Sequence, residues 1–218
     1  MQKKVFSISI DGPSGSGKTT IGKVMAEKIG MFFISSGLIY RTVALYLIEN
    51  NIEPKDIDEN LLKEINIEYI DIDHVILNGK NVIKDLFSTE ISKSASLSAW
   101  NPIVRKHVNK IIKKIASETD VIVEGRDIGT AVLPQSVFKI FISADVRIRA
   151  QRRKEQVKTI EEYRKILDDI VERDDRDISR PIDPLTPAID SFLFLNNDYT
   201  IEEATDTLIE EYHKIVKH

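Results

Sequence analysis

The chain has 218 residues and a mass of 24.8 kDa, which suits one domain with small insertions and suffices to bury a full hydrophobic core without covalent staples. A net charge of −4 gives no bulk attraction to nucleic acid or to an anionic membrane, and the absence of cysteine excludes disulfides, thiol catalysis and cysteine-ligated metals. No apolar run approaches the length of a bilayer span and the first residues lack a signal-peptide core, so a cytoplasmic location is the default expectation.

In chain order, Val5 to Ile10 alternates, with Phe6, Ile8 and Ile10 on one face, and ends at Asp11-Gly12-Pro13; this reads as a strand entering a tight loop. The loop Gly12-Pro13-Ser14-Gly15-Ser16-Gly17-Lys18-Thr19 satisfies G-x-x-x-x-G-K-[ST]. Its glycines let backbone N–H groups wrap a phosphate, Lys18 reaches the β- and γ-phosphates, and the Thr19 hydroxyl suits Mg²⁺. Ile21, Val24, Met25 and Ile29 follow at helical spacing until Gly30, so the anion would meet a helix N-terminus at Lys18, Thr19 and Thr20. Phe32 to Ile34 reads as a strand and Gly37 to Ile48 as a helix.

Around residues 62–86 the texture changes. Short strands are expected at Ile67 to Ile70 and Val75 to Leu77, with Asn78-Gly79 as a hairpin turn before Val82. A helix is expected over Pro102 to Ala116, strands at Val121 to Val123 and Val137 to Ile142, and a charged helix from Val146 to about Val171 with a break near Thr159. The segment from Ser179 to Ile189 holds three prolines and reads as a loop; Ser191 to Leu195 is a last strand and Ile201 to Ile215 a last helix. Alternating strands and helices predict an α/β layered domain with a central parallel sheet.

The phosphate loop alone does not choose between kinase, GTPase and ATPase. Asn109-Lys110 continues as Ile111-Ile112, so the guanine-reading Asn-Lys-x-Asp pattern is absent. Val121-Ile122-Val123-Glu124 matches an ATPase strand only in part, and Glu124 reads equally as a water-mediated Mg²⁺ ligand or a solvated strand-end carboxylate. Arg41, Arg105, Arg126, Arg173 and Arg180 are all placed in or beside loops or helix ends that follow predicted strands. Several such guanidiniums fit transfer between two anionic substrates, although Arg173-Asp174-Asp175-Arg176-Asp177 could equally be a self-paired helix face.

Over nearly its whole length the sequence resembles the bacterial cytidylate kinases. The carrying segments are Ile10 to Gly15, Ser36-Gly37-Leu38-Ile39-Tyr40-Arg41, Glu90 to Arg105, Glu124-Gly125-Arg126-Asp127-Ile128-Gly129-Thr130, and Arg173 to Asp177 with Arg180, all in the family's order. The resemblance implies a P-loop NTPase three-layer fold with a helical lid and a small inserted β-sheet, and transfer of the γ-phosphoryl group of ATP to CMP or dCMP with Mg²⁺. It divides one kinase domain into a core (1–35, 103–150, 174–218), a monophosphate-binding region (about 36–102, beginning with Ser36) and a lid (about 151–173). It further implies that Ser96, Arg105 and Asp127 read the cytosine edge and that Arg41, Arg126 and Arg180 clamp the CMP phosphate. Arg173 and Asp177 would hold the sugar, and Arg152 with Arg153 would close over the ATP phosphates, leaving Lys18, Arg126, Arg180 and Arg152 as the catalytic cations. Partners beyond ATP and CMP or dCMP are not expected, neither nucleic acid nor membrane, and the chain is expected to act as a monomer. Two positions depart from the pattern: Ser35 stands where the family commonly has aspartate, and Phe87-Ser88-Thr89 where it tends to have arginine. The rival readings are a kinase for UMP, AMP or a non-nucleotide acceptor, and a nucleotide-dependent regulatory protein with little phosphotransfer.

Overall fold

A computed structural model describes residues 5–157 and 163–216. Five strands, β1 (Ser7–Asp11), β2 (Phe32–Ser35), β6 (Val121–Gly125), β7 (Phe138–Ser143) and β8 (Phe192–Leu195), form one sheet in the order β2-β6-β1-β7-β8, every pair parallel. β1 and β6 are buried along almost their entire length because helices cover both faces, which is why Val121-Ile122-Val123 is continuously apolar rather than alternating. On one face α1 (Lys18–Ile29) and α7 (Ile201–Val216) pack beside each other; the cluster beneath them includes Ile10, Met25, Ile140 and Leu208. The other face packs against α2 (Ser36–Glu49) and α4 (Pro102–Ala116), with Leu38, Val104, Val108, Ile112 and Val123 in its core. Each fully buried Ile or Leu contributes about 1.5–3 kcal/mol, so the two clusters fix the layering.

Local chemistry sets the ends of these elements. Asn101 caps α4 by accepting from the Ile103 N–H at 2.9 Å, with Pro102 in the first turn. Gly30 ends α1 in the left-handed conformation and donates its N–H to Ala26. The inserted antiparallel sheet, β3 (Ile67–Tyr69), β4 (Val75–Leu77) and β5 (Lys80–Asn81), turns at Asn78 and Gly79, with φ of 49° and 84°; positive φ at both central residues is the hairpin conformation expected of Asn-Gly. Its buried Tyr69 and Leu77 join the α2 and α4 core.

Several sequence expectations need correcting. Thr89–Ser98 is a helix, α3, started by Ser88, whose Oγ accepts from the Ile91 N–H at 3.1 Å; no helix is predicted there because four serines in ten residues mask its apolar face. The charged stretch expected to be helical to about Val171, with a break near Thr159, is helical on both sides of that point, as α5 (Val146–Val157) and α6 (Tyr163–Ser179). α6 runs past the expected end, placing Arg173 in a helix interior rather than near a loop. Arg105, the fourth residue of α4, follows a helix rather than a strand. The expected break near Thr159 lies outside the described residues, and the lid boundary at 173 falls inside α6.

Candidate active site

The carboxyl ends of β1, β6 and β2 lie side by side, with Asp11 level with Gly125 and Ser35 level with Glu124. That edge, outside the strand ends, is where open parallel sheets bind ligands. The phosphate loop leaves β1 there. Gly12 has φ 144° and a Cβ on it would lie 2.0 Å from the Ile142 carbonyl oxygen, while Gly17, with φ 97°, turns the chain into α1; neither position admits a side chain. Lys18 is buried within the loop's curve and donates to the Pro13 carbonyl at 2.6 Å. Thr19 and Thr20 stand exposed in the first turn of α1. Burial drives the Lys18 pKa down to about 7, the Arg126 charge adds to this, and Glu124 opposes it.

Around the loop the arginines sort into two groups. Arg126 donates from Nε to Asp177 Oδ2 at 2.8 Å and from Nη1 to the Gly125 carbonyl. Arg173, partly buried beside it, has no partner for Nε, and its pKa falls to about 9 through burial and then repulsion from Arg126. Arg41, whose Nε is also unpartnered, is lowered by burial, with further repulsion from Arg153 and Arg126. Although burial favours the neutral acid, Arg126 and Arg173 hold Asp177 below the usual carboxylate range. A second group gathers at Asp127, which accepts from Arg105 Nη2 and, at 3.4 Å, from Arg180 Nη2. Burial raises the Asp127 pKa, and both arginines oppose the rise. Asp183 joins the group by accepting from Arg105, and Tyr40 lies close enough to feel its charges. Ser96 Oγ accepts from Arg176 Nε at 3.4 Å.

Most of the predicted site residues therefore converge. A cavity of about 310 Å³, lined by Ser14, Gly15, Ser92, Arg153, Arg173 and Arg176 among others, opens between the phosphate loop, α3 and α6. Arg152, predicted to meet the ATP phosphates, instead donates to the Asn196 and Asn197 carbonyls at 2.9 and 3.3 Å. The segment Arg173 to Asp177 is not self-paired: Asp174 pairs with Arg149 at 2.6 Å and Asp177 with Arg126. Ser36 is buried at the start of α2.

Sequence reasoning missed Arg149, Asn196 and Asp11. Arg149 ties the Ser14 carbonyl to Asp174, Asn196 donates to the Ser16 carbonyl at 2.9 Å, and Asp11 accepts from the N–H groups of Ile128 and Gly129 at 2.8 and 2.7 Å. Arg149 and Asn196 sit in no recognisable spacing pattern, and although Asp11 lies within the Ile10 to Gly15 segment, its role, like theirs, is read only from tertiary geometry. At the first departure, the Ser35 hydroxyl donates to Glu124 Oε1 at 2.5 Å and the Ser35 N–H donates to the Tyr69 hydroxyl at 3.0 Å. At the second, the Phe87 ring covers the Arg41 guanidinium at 5.9 Å from its centroid.

The Thr19 hydroxyl, exposed at the start of α1, and the Glu124 carboxylate, buried at the end of β6, are hard oxygen donors. This set fits Mg²⁺, which keeps several waters and shares its coordination with substrate phosphates, better than a cation wanting an all-protein cage. Among the described residues no three His, Cys, Asp or Glu side chains gather as a metal centre, and no helix is long and apolar enough to cross a membrane.

Residues 8–214 match the family model described as Cytidylate kinase. Similar proteins include the cytidylate kinase of Fervidobacterium nodosum, 41% identical over 207 residues with 93% of this chain and 94% of the relative covered. That of Pseudothermotoga lettingae is 40% identical over 218 residues, with 97% and 96% covered. Among solved structures, the shikimate kinase of Bacteroides thetaiotaomicron superposes with a TM-score of 0.51 at 12% identity, over 95% of this chain and 98% of that one. The gluconokinase of Sinorhizobium meliloti gives 0.51 at 13%, over 98% of each; at such identities the likeness shows the fold alone.

Proposed function

The chain belongs to the cytidylate kinase family and is an ATP-dependent kinase that converts CMP to CDP; from that premise we propose how its residues divide the reaction. The loop of residues 12–20, through the backbone N–H groups it has on either side of Pro13, and Lys18 hold the β- and γ-phosphates of ATP. Arg41, Arg126 and Arg180 hold the acceptor phosphate, and Arg173 with Asp177 holds the sugar, dCMP being a second acceptor. Ser96, Arg105 and Asp127 read the base: the cytosine amine is a donor suited to Asp127, while N3 and O2 are acceptors suited to Arg105 and Ser96. Thr19 and Glu124 would hold Mg²⁺ arriving with ATP, which when bound neutralises charge on the bridging phosphates.

A phosphate oxygen of CMP attacks the γ-phosphorus as the bond to the β-phosphate oxygen breaks, releasing ADP. The acceptor is already anionic, so no strong base is needed, and the chain's task is to orient and neutralise. One observation carries this reading. Lys18 is buried and Arg41 partly buried, both pKa values are depressed, and each is further lowered by neighbouring guanidinium charge. Buried cations that repel one another are costly unless anions complete the site. Arg152, bound to the loop after β8, acts on the ATP side by holding that loop, whose Asn196 supports the phosphate loop. We further assign the core to 1–35, 103–150 and 174–218, the monophosphate-binding region to 36–102 and the lid to 151–173, working as a cytoplasmic monomer.

ADP release from Mg-ATP should be measured with CMP, dCMP, UMP, AMP and no acceptor. CMP should give CDP with AMP weak or inert; equal rates with all four would remove the base-reading role. In Asp127→Asn, kcat/KM for CMP should fall by about 10²-fold or more while ATP binding stays near wild type; equal losses for both substrates would count against the assignment.

A further inference from the structure

Arg105 uses its fork unevenly. Nε and Nη2 both donate to the same oxygen of Asp183, Oδ2, at 3.1 and 3.0 Å, and Nη2 also donates to Asp127. Nη1 is buried with no hydrogen-bond partner, on a residue that is 2% exposed. A buried donor left open is costly, so the arrangement has a reason only if something arrives to accept from it. Asp183 is itself unusual. Its φ is 48°, and it precedes Pro184, a position that narrows backbone choice further. Two sets of contacts hold it there: its carbonyl accepts from Arg180 Nε at 3.1 Å and from Arg180 Nη2, and its carboxylate holds Arg105. One residue thus pins both arginines that flank Asp127.

We propose that Asp183 is a positioning residue for acceptor-base selection, holding Arg105 side-on so that Nη1 faces the base and Asp127 stays available to the cytosine amine. The proposal rests on the reading that Arg105 and Asp127 contact the base. The charges explain the need. Asp183, Arg105, Asp127 and Arg180 form a chain of alternating sign in which Asp127 gives one oxygen to each arginine. Without the Asp183 charge, Asp127 is the one carboxylate left paired with Arg105 among the described residues, and Arg105 is free to turn into a two-point pair with it. That pair would satisfy the groups that cytosine needs. Asp183 remains one-third exposed on its side chain, so it can hold Arg105 from the solvent side without entering the base site.

The test compares Asp183→Asn and Asp183→Gly with wild type, measuring kcat, KM for CMP and UMP, KM for ATP, and thermal stability. Glycine accepts the positive φ and lacks the carboxylate, so it separates backbone strain from charge and serves if the Asn variant folds poorly. Both variants should raise KM for CMP by about tenfold or more, leave kcat and KM for ATP within about twofold, and narrow the preference for CMP over UMP. In an Arg105→Ala background, Asp183→Asn should add little to the loss. If Arg105→Ala itself leaves KM for CMP unchanged, the base-contact reading fails. If Arg105→Ala raises it and neither Asp183 variant does, only the Asp183 proposal fails, and a drop in melting temperature alone would mark the residue as structural.

Discussion

Lys18 of the ligand-free phosphate loop is only partly protonated near neutral pH, because burial, then repulsion from Arg126, brings it to about 7. Phosphate oxygens arriving beside it favour the charged form, so its pKa rises on binding and the protein takes up a proton. At pH 8, nucleotide titrations in buffers of different ionisation enthalpy should show uptake of about half to one proton, and affinity should decline as pH rises above 7. Lys18→Met should remove the buffer dependence; its persistence there would assign the proton to another group. This residue was legible from its motif, as were Arg126 and Asp127. Arg149 and Asn196 were not, although each is bonded directly to a phosphate-loop carbonyl. A motif marks what touches the ligand, whereas these residues act on backbone that lies far away in sequence. Ser35 shows the opposite case: its place was visible, and its consequence, a short hydrogen bond to Glu124, needed the neighbouring strand.

Helices and strands here differ in how openly they are written. β6 and α4 were readable because a run of valines and isoleucines, or Val104, Val108 and Ile112 at helical spacing, states its own burial. α3 was not, because serine competes for backbone hydrogen bonds and its helix rests on Ser88 and packing against α2. The five-residue π-turn Ile128–Val132 that follows Asp127 could not be foreseen either, since it depends on Asp11. Both carboxylate oxygens of Asp11 are used on the N–H groups of Ile128 and Gly129, linking the start of the phosphate loop to the loop that carries Arg126 and Asp127. Burial raises the Asp11 pKa to about 7, so any stability this group adds is present at low pH and fades as pH climbs through 7. Asp11→Asn offers one acceptor where two are needed. It should destabilise the fold by about 1–3 kcal/mol and raise KM for CMP more than KM for ATP, measured by denaturant unfolding and steady-state kinetics. An unchanged KM for CMP in a folded variant would show that the two loops are not linked through this side chain.

At the scale of the whole molecule, a chain of net charge −4 concentrates buried cations at one sheet edge, and folding must hold them there before any substrate arrives. α6 carries much of this burden. Asp174 fastens it to Arg149 and to the Ser14 N–H, Asp177 fastens it to Arg126, and Arg176 reaches Ser96, so one helix ties together the phosphate loop, the end of β6 and α3. In the middle of that span Arg173 sits with Nε unpartnered and its pKa down to about 9, from burial and then from Arg126. Its charge opposes the ligand-free fold and favours the liganded one. Replacing it with methionine keeps much of the volume and removes the charge. We expect Arg173→Met to raise the ligand-free melting temperature by about 2–5 °C, roughly 1–2 kcal/mol in a chain of this size, while kcat/KM for CMP falls by about tenfold or more. Calorimetry on ligand-free protein, repeated with saturating CMP and ADP, separates the terms: the variant should start higher and gain less from ligands than wild type. A variant less stable than wild type without ligands would mean that Asp177 already compensates Arg173 in the empty site, and that the cation cluster is not held at the expense of stability.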